Sequence, residues 1–342
     1  MAFYCKNLDK VIFEQHNYLP EEPDELIIIS GYLGPNPVDN LQNLPFKKME
    51  VIGGMYTRGV NSSLYDALKE AQLKNPRLTV SFSNLEVHSK IYIWLKNDEV
   101  KRVLIGSANF SDNGLKTDLR ESLAEMNFQD TQTLMDYIKL IKQNSTVHPQ
   151  LADSSTIKKN IANTSLINND DINKGPLSVE LPLYVDNKGI RTVSEKSGLN
   201  WGLADAHTAE GDAYIAIPKP VISAIPNFFL PFNPNYQSSK KRKRASDPIE
   251  IIWDDGTVMQ ASTEGKQKYN NLYYPKQISS YSDKSRKELG HSAKSIIGRY
   301  LRNRMNIPID KLITYDDLKN YGRISVTFTK ISDGVYQADF SK

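Results

Sequence analysis

A long polar stretch divides this chain into two segments with different sequence patterns. Residues 148–176 read HPQLADSSTIKKNIANTSLINNDDINKGP, with many Asn, Asp, Ser and Lys residues and few large hydrophobic ones. Such a composition cannot bury enough apolar surface to form a core and is typical of a linker. The 342 residues therefore predict two domains, at 1–165 and 178–342, joined by a linker at 166–177.

Strand-like and helix-like patterns alternate in the first segment. DELIIISGYLG and PFKKMEVIGGMY each indicate a buried strand that ends in glycines, and LTVSFSN indicates a third strand. NSSLYDALKEAQLKN indicates an amphipathic helix with Ser62 or Ser63 as its N-cap, and TQTLMDYIKLIKQN indicates another helix. This alternation predicts an α/β domain with a mixed sheet and flanking helices.

The second segment consists mostly of short strand-like pieces with frequent turns. LSVELPLYV, AYIAIP, IEIIWDDGTVMQAS, RISVTFTKI and GVYQADFS indicate strands, and one predicted helix, HSAKSIIGRYLRNRM, interrupts them. This pattern predicts a mostly-β domain, a small barrel or pseudobarrel.

Composition excludes several classes of protein. No apolar run approaches the roughly 18 residues needed to cross a bilayer, and the N-terminus lacks the pattern of a signal peptide. The single cysteine, Cys5, excludes an intrachain disulfide and a cysteine-rich zinc site. We therefore expect a cytoplasmic protein with no membrane partner.

Charge is distributed unevenly between the two halves. Residues 1–170 contain 18 basic and 21 acidic residues, a net charge of −3, whereas the remaining 25 basic and 19 acidic residues give +6. The second half is therefore the better candidate for binding a polyanion such as DNA.

Two short polar clusters, HSK and GSANFS, flank neighbouring strand-like runs. His88 and Lys90 are two residues apart, so in a strand they would project from one face. A phosphate between them would satisfy both groups. Gly106 allows a close backbone approach, and Ser107 and Asn109 offer neutral donors to phosphate oxygens. We expect a hairpin turn near Asn97 and Asp98 to bring the two clusters together.

These clusters, HSK…GSANFS, resemble the signature of the phospholipase D superfamily: histidine-x-lysine, then Gly-Ser or Gly-Gly, then asparagine. The resemblance implies a metal-independent phosphodiesterase in which His88 attacks phosphorus and forms a phosphohistidine. Lys90 and Asn109 would hold the phosphate oxygens, with Ser107 assisting. No cofactor is expected.

A glutamate that orients the histidine usually follows the asparagine by about a dozen residues in this superfamily. Glu121 fits that spacing, and Glu125 is the alternative. The superfamily often carries an aspartate where this chain has Leu95, which departs from the pattern. An active site of this superfamily uses two histidine-x-lysine copies and the chain has one, so the resemblance implies a homodimer through the N-terminal domain.

The second segment resembles the DNA-binding half of a restriction-endonuclease group typified by NgoFVII and NgoAVII, with BfiI more distant. The resemblance rests on SGLNWG, AYIAIP, DDG, GRYLRNR and YGR. It implies a B3-like pseudobarrel whose two arms enter the major groove of double-stranded DNA. Side chains of the first arm (197–207) and the second (262–269) are suited to reading base edges: Ser197, Asn200, Trp201, Asp205 and His207, then Thr263, Lys266, Gln267 and Lys268.

Two further basic groups are candidate DNA contacts. Arg299 and Arg302 are expected on the outward face of the helix in GRYLRNR, where phosphate contact and simple solvation are both open. Lys241 and Arg242 belong to the run KKRKR, which fits phosphate contact better than nuclear import beside a nuclease signature.

The leading hypothesis is a site-specific double-stranded DNA endonuclease, a restriction enzyme of type II-like specificity. The group's resemblance implies a short GC-rich site, a cognate DNA methyltransferase and, in some systems, a separately encoded ATPase or helicase-like subunit. Any use of ATP would fall to that subunit, because this chain has no Walker pattern. A catalytically inactive DNA-binding regulator is the alternative, and a phospholipid phosphodiesterase is a third possibility.

Overall fold

The computed structural model describes residues 2–127, 131–152, 157–159, 177–205, 208–234 and 245–342. Contacts within the chain divide it into two compact units, Met1–Ser154 and Ser155–Lys342. The division falls before residue 165, the expected end of the first domain, because the strand at 157–159 pairs with Leu177–Val179 of the second unit.

The first unit is built on a mixed sheet of eight described strands in the order β1-β7-β6-β5-β2-β3-β4-β8. The central strands β2, β3 and β4 are parallel, and the other neighbours are antiparallel. This confirms the predicted α/β fold. The strands are β1 (Phe3–Tyr4), β2 (Glu25–Ser30), β3 (Lys48–Gly53), β4 (Leu78–Ser83), β5 (Ile91–Lys96), β6 (Glu99–Gly106), β7 (Leu123–Glu125) and β8 (Ser145–Thr146).

Helices flank this sheet, as predicted. Leu134, Ile138 and Ile141 of the last helix share one apolar cluster with the sheet residues. The N-cap of the third helix is Asn61, whose Oδ1 accepts a hydrogen bond from the Leu64 amide at 3.1 Å. The expectation of a serine cap was therefore wrong by one residue. The helices are α1 (Leu8–Glu14), α2 (Pro35–Asn40), α3 (Ser62–Lys74), α4 (Asp112–Lys116) and α5 (Thr131–Gln143).

The second unit is a mostly-β, barrel-like sheet in the order β13-β18-β15-β14-β20-β19-β10-β9. Contact between β10 and β13 brings the sheet close to closure, which confirms the predicted pseudobarrel. Two hairpins stand apart from it: β11 with β12, and β16 with β17. The strands are β9 (Ile157–Lys159), β10 (Leu177–Pro182), β11 (Val185–Asn187), β12 (Ile190–Thr192), β13 (Ile215–Ala216), β14 (Ser246–Trp253), β15 (Val258–Glu264), β16 (Gln267–Tyr269), β17 (Leu272–Tyr274), β18 (Gln277–Ser280), β19 (Ser325–Ser332) and β20 (Val335–Asp339).

Four helices, not one, accompany this sheet in the described residues. The predicted helix is present as α8 (Ser295–Met305), and α6 (Lys219–Ala224), α7 (Arg286–Leu289) and α9 (Tyr315–Tyr321) are added. The additional helices have four to seven residues, too few to show a clear apolar period. Helix α9 still carries a sequence signal, because Thr314 and Asp317 form a reciprocal capping box at its start.

Candidate active site and DNA-binding surface

Three loops meet at one edge of the first sheet. Strand β5 is antiparallel to both β2 and β6, so its start lies beside their ends: Ile91 pairs with Ile29 and with Ile105. The hairpin turn between β5 and β6 lies at Asn97 and Asp98, both left-handed, as expected. The segments after β2, before β5 and after β6 are thereby brought together.

The side chains of His88, Lys90 and Asn109 surround one point at this edge. A methyl group placed on Gly31 would lie 2.9 Å from His88 Cδ2, 3.2 Å from Asn109 Oδ1 and 3.3 Å from Lys90 Nζ. The sequence expectation placed His88 and Lys90 on a strand face. The structure instead places both in the loop segment before β5, which begins at Ile91.

Lys90 is a cation with very little access to water. It is 5% exposed, and its Nζ donates a hydrogen bond to the carbonyl oxygen of His88 at 2.6 Å. Burial lowers the pKa of Lys90, while the charge of Glu121 partly opposes that shift. A desolvated ammonium beside an exposed imidazole is an arrangement that an anion would stabilise.

The amide of Asn109 is held in one orientation. Its Oδ1 accepts a hydrogen bond from the backbone N–H of Tyr32 at 3.1 Å. Because the backbone group can only donate, the oxygen must face it, and Nδ2 then remains to donate elsewhere. Ser30 joins the same two loops: its Oγ donates to the Tyr32 carbonyl at 2.7 Å and accepts from the Phe110 N–H at 2.9 Å.

Ser107 and Glu121 lie on adjoining segments. Ser107 is exposed, and its Oγ accepts a hydrogen bond from the Ser122 N–H at 3.1 Å. Burial and, secondarily, the charge of Glu121 raise the pKa of Tyr92, and the same charge opposes the lowering of the Lys90 pKa, so this carboxylate lies within electrostatic range of both residues.

The alternative glutamate, Glu125, is held elsewhere. It forms an ion pair with Arg102 at 2.6 Å and accepts a hydrogen bond from the Ala2 N–H at 3.3 Å. Leu95, where the superfamily often has an aspartate, is a buried core residue of β5 that pairs with Glu25. Neither residue is therefore placed to act on His88.

Sequence reasoning missed Gly31 and Tyr32. The Tyr32 ring is half-buried and meets the His88 ring edge-on, with centroids 6.3 Å apart and planes at 79°. The available signal was SGYLG directly after a buried strand, which we interpreted as a glycine turn and not as part of the site.

The first predicted DNA-binding arm is a 3₁₀ turn, Gly198–Leu203, with exposed flanks. Ser197 occupies the N-cap position without a side-chain capping bond, and its Oγ donates instead to the Ser194 Oγ at 2.6 Å. Trp201 is half-buried and meets the Tyr214 ring edge-on. Asp205 is exposed and pairs with Lys196, which lowers the pKa of the Asp205 carboxyl. His207 lies outside the described residues.

Asn200 is a scaffold residue, which contradicts its predicted role as a base contact. It is 0% exposed, and its Nδ2 donates to the carbonyls of Ser194 at 3.0 Å and Ile313 at 2.8 Å. Its Oδ1 accepts from the Ile313 N–H at 2.9 Å and from Arg302 at 3.2 Å. All its polar atoms are directed into the protein, so none can reach a base edge.

Arg302 is also internal, although it was expected on the outward helix face. It is 2% exposed and donates to the carbonyls of Pro308 at 3.0 Å and Lys311 at 2.6 Å, and burial lowers its pKa. Arg299 is half-buried and lies 3.6 Å from Glu210, so it keeps access to solvent. Lys241 and Arg242 lie outside the described residues.

The second predicted arm is the β16–β17 hairpin with its flanks. Lys266 and Lys268 are exposed, and the turn residues Asn270 and Asn271 are left-handed. Thr263 is buried within β15, which contradicts its predicted DNA contact. Gln267 uses its amide to hold the hairpin, donating to the carbonyls of Ile217 at 3.0 Å and Pro275 at 2.6 Å.

Family comparisons agree with this two-unit architecture. Residues 6–165 match the model of the NgoFVII restriction endonuclease N-terminal PLD domain, where PLD denotes phospholipase D. Residues 173–332 match the model of the NgoFVII C-terminal B3-like DNA-binding domain. The pairing defines a DNA endonuclease built from a phosphodiesterase fold and a DNA-binding fold. The chain belongs to the NgoFVII restriction endonuclease family.

Solved structures match parts of the chain at low identity. NucT from Helicobacter pylori is 14% identical, with a TM-score of 0.33 over 42% of this chain and 96% of its own. Polyphosphate kinase from Porphyromonas gingivalis is 11% identical, with a TM-score of 0.30 over 45% of this chain and 25% of its own. A yeast tyrosyl-DNA phosphodiesterase 1 mutant is 15% identical, with a TM-score of 0.27 over 40% of this chain and 37% of its own. No curated protein matches the chain.

Membrane-spanning helices and metal-holding clusters are both absent from the described ranges. No helix there has both the length and the apolar character that a membrane span requires. No group of three or more His, Cys, Asp or Glu side chains there is arranged to hold a metal ion.

Proposed function

We propose that this chain is a site-specific double-stranded DNA endonuclease that cleaves through a covalent phosphohistidine on His88. One observation carries the proposal: an exposed imidazole, a buried ammonium and an oriented amide surround the single point beside Gly31. These three groups are a nucleophile and two donors suited to one phosphate.

In the first step, a ring nitrogen of His88 attacks the scissile phosphorus and displaces one nucleotide oxygen. Lys90 and the Asn109 Nδ2 donate to the non-bridging oxygens, where negative charge increases in the transition state. The leaving oxygen takes a proton from a general acid. In the second step, water attacks the phosphohistidine, the P–N bond breaks, and the general acid recovers a proton from that water. The scheme requires no metal or other cofactor.

The general acid is proposed to be His88 of a second copy of the chain, in a homodimer formed by the first unit. The other described histidines are used elsewhere. His16 packs edge-on to Phe46, His148 lines a groove beside α3 and β4, and the Nδ1 of His291 is hydrogen-bonded with the Ser295 hydroxyl at 3.0 Å. A twofold axis beside His88 would give each phosphate one nucleophile and one acid.

Site recognition is assigned to the B3-like unit. The predicted contacts that the structure leaves with some exposure are Ser197, Trp201, Asp205, Lys266, Gln267, Lys268 and Arg299. We keep as proposals a short GC-rich site with type II-like cleavage, a cognate methyltransferase, a separate ATPase or helicase-like subunit and a cytoplasmic location.

The test is cleavage of supercoiled plasmid in EDTA by the wild type, His88→Ala and His148→Ala. We expect discrete bands from the wild type and from His148→Ala, whose histidine is exposed and outside the site. His88→Ala should give none. After rapid denaturing quench, end-labelled DNA should migrate with the wild-type protein and not with His88→Ala.

Each alternative predicts a different result. Specific binding without cleavage, with or without an added ATPase subunit, would favour the inactive regulator. Turnover of phospholipid without DNA cleavage would favour the lipid phosphodiesterase. Equal cleavage by His88→Ala would contradict the proposed nucleophile.

A further inference from the structure

We propose that the Gly31–Tyr32 turn forms the floor of the phosphate site and determines how closely a phosphate can approach His88. Gly31 acts through the absence of a side chain, and Tyr32 acts by positioning Asn109 and His88. This inference rests on the proposed function, because it names two positioning residues for the same reaction.

Gly31 is required for space and not for backbone conformation. Its φ is not in the left-handed region, so alanine could adopt the same backbone geometry. An added methyl group would nevertheless lie 2.9 Å from His88 Cδ2, closer than carbon atoms normally approach each other. The volume that this methyl group would occupy is the volume between the three groups proposed to hold phosphate.

The backbone at Gly31 cannot readily move away from a larger residue. The Met55 N–H donates to the Gly31 carbonyl at 2.9 Å, which fastens the turn to the loop after β3. On the other side, Ser30 bonds to both Tyr32 and Phe110. Strain from a methyl group would therefore be relieved by movement of His88, Lys90 and Asn109.

Tyr32 contributes through its backbone and its ring. Its N–H fixes the Asn109 amide at 3.1 Å, so Nδ2 faces the site. Its ring is packed edge-on between two others, Tyr56 at 5.9 Å and His88 at 6.3 Å. The ring thus restricts where the exposed imidazole can turn, which is the property that a nucleophile for in-line attack needs.

The experiment compares the full-length wild type with Gly31→Ala, Tyr32→Phe and Tyr32→Ala. Direct binding of orthovanadate, a phosphate analogue, is measured by calorimetry, and single-turnover DNA cleavage is measured separately. Ala67→Gly, a buried substitution on α3, reports the effect of a general loss of stability. Thermal unfolding is recorded for every variant.

We expect Gly31→Ala to fold, to bind orthovanadate at least tenfold more weakly and to cleave about 10–100-fold more slowly, because small misplacements of reacting groups are costly. Tyr32→Phe, which keeps the ring, should cleave faster than Tyr32→Ala, and Tyr32→Ala should lower the cleavage rate more than orthovanadate affinity. Ala67→Gly should change unfolding alone.

Two outcomes would overturn the inference. One is a folded Gly31→Ala protein that binds orthovanadate as the wild type does. The other is a wild type that binds no orthovanadate. Orthovanadate binding that is lost in Gly31→Ala, in a protein that cuts no DNA, would support the inference while contradicting the proposed function.

Discussion

The proposed catalytic edge of the first unit and the predicted arms of the second unit differ in how their polar residues are used. At the edge, His88, Lys90 and Asn109 converge on one point. In the arms, Asn200 and Thr263 are buried as scaffold. A short signature can predict a phosphate site because its polar residues lie within a few positions of the strands that hold them. A recognition arm depends on side-chain directions that a residue list does not contain.

The largest expected effect tests the edge. Lys90→Met should reduce the rate of cleavage by about 10²–10³-fold, the cost of removing one preorganised donor to a developing charge. The same substitution should leave the free energy of unfolding at neutral pH unchanged or raise it, because a desolvated cation is removed.

A pH titration sharpens that prediction. The pKa of Lys90 is lowered in the folded protein, so the unfolded chain binds this proton more tightly. The loss of stability caused by this desolvated cation is therefore fully present below the folded pKa and disappears as the pH rises toward 10.5, the ordinary pKa of lysine. Denaturant unfolding should show the free energy of unfolding of the wild type rising over this alkaline range, relative to that of Lys90→Met. Lys96→Met, at the far end of β5, is the matched control and should keep full activity. If Lys90→Met lost stability as well as activity, the proposed role of Lys90 as a donor to phosphate would be contradicted.

The second prediction concerns the buried part of the first arm. Asn200→Ala should lower the free energy of unfolding of the second unit by about 2–4 kcal/mol, because the Ile313 N–H and Arg302 would lose a buried partner. Calorimetry would measure this against Asn303→Ala, an exposed substitution on α8. Below the unfolding transition, the DNA sequence preference should be unchanged. A changed preference in a stably folded Asn200→Ala protein would restore this residue as a base contact.

The smallest expected effect is at the second arm. Lys266→Gln and Lys268→Gln remove exposed cations, and each should reduce the slope of log affinity against log salt by about 1, with little change in sequence preference. Titrations of labelled duplex at several salt concentrations would measure it. Lys319→Gln, whose cation pairs with Asp316 on α9, is the control. An unchanged slope in both hairpin variants would place the DNA on another surface.

Elements with a strong apolar pattern in the sequence were predicted correctly, and elements with a weak one were missed. Buried strands such as β2 and the amphipathic helix α3 lie where the sequence predicted them. Helix α9 was missed because seven residues give two turns, too few for a periodic apolar face. The predicted strand position of His88 was wrong because the continuous apolar run that forms β5 begins at Ile91, after the signature.

The site was only partly predictable for a different reason. Gly31 contributes empty space and Tyr32 contributes a backbone N–H, and neither property appears in a search for reactive side chains. Arg302 was misplaced because an apolar helical face predicts which residues are buried but not which charged neighbours find carbonyl partners.

The strand order of the second unit also has a consequence for protein synthesis. Ser178 of β10 pairs with Thr329 of β19, 151 positions later. Strand β10 therefore cannot form this pairing until β19 has been synthesised. At about 5–20 residues per second, this wait lasts on the order of 10–30 s on the ribosome. The sheet of the first unit is complete once Thr146 has emerged, because all its pairings lie before that residue. We therefore expect the proposed catalytic edge to assemble on the nascent chain well before the sheet of the second unit closes.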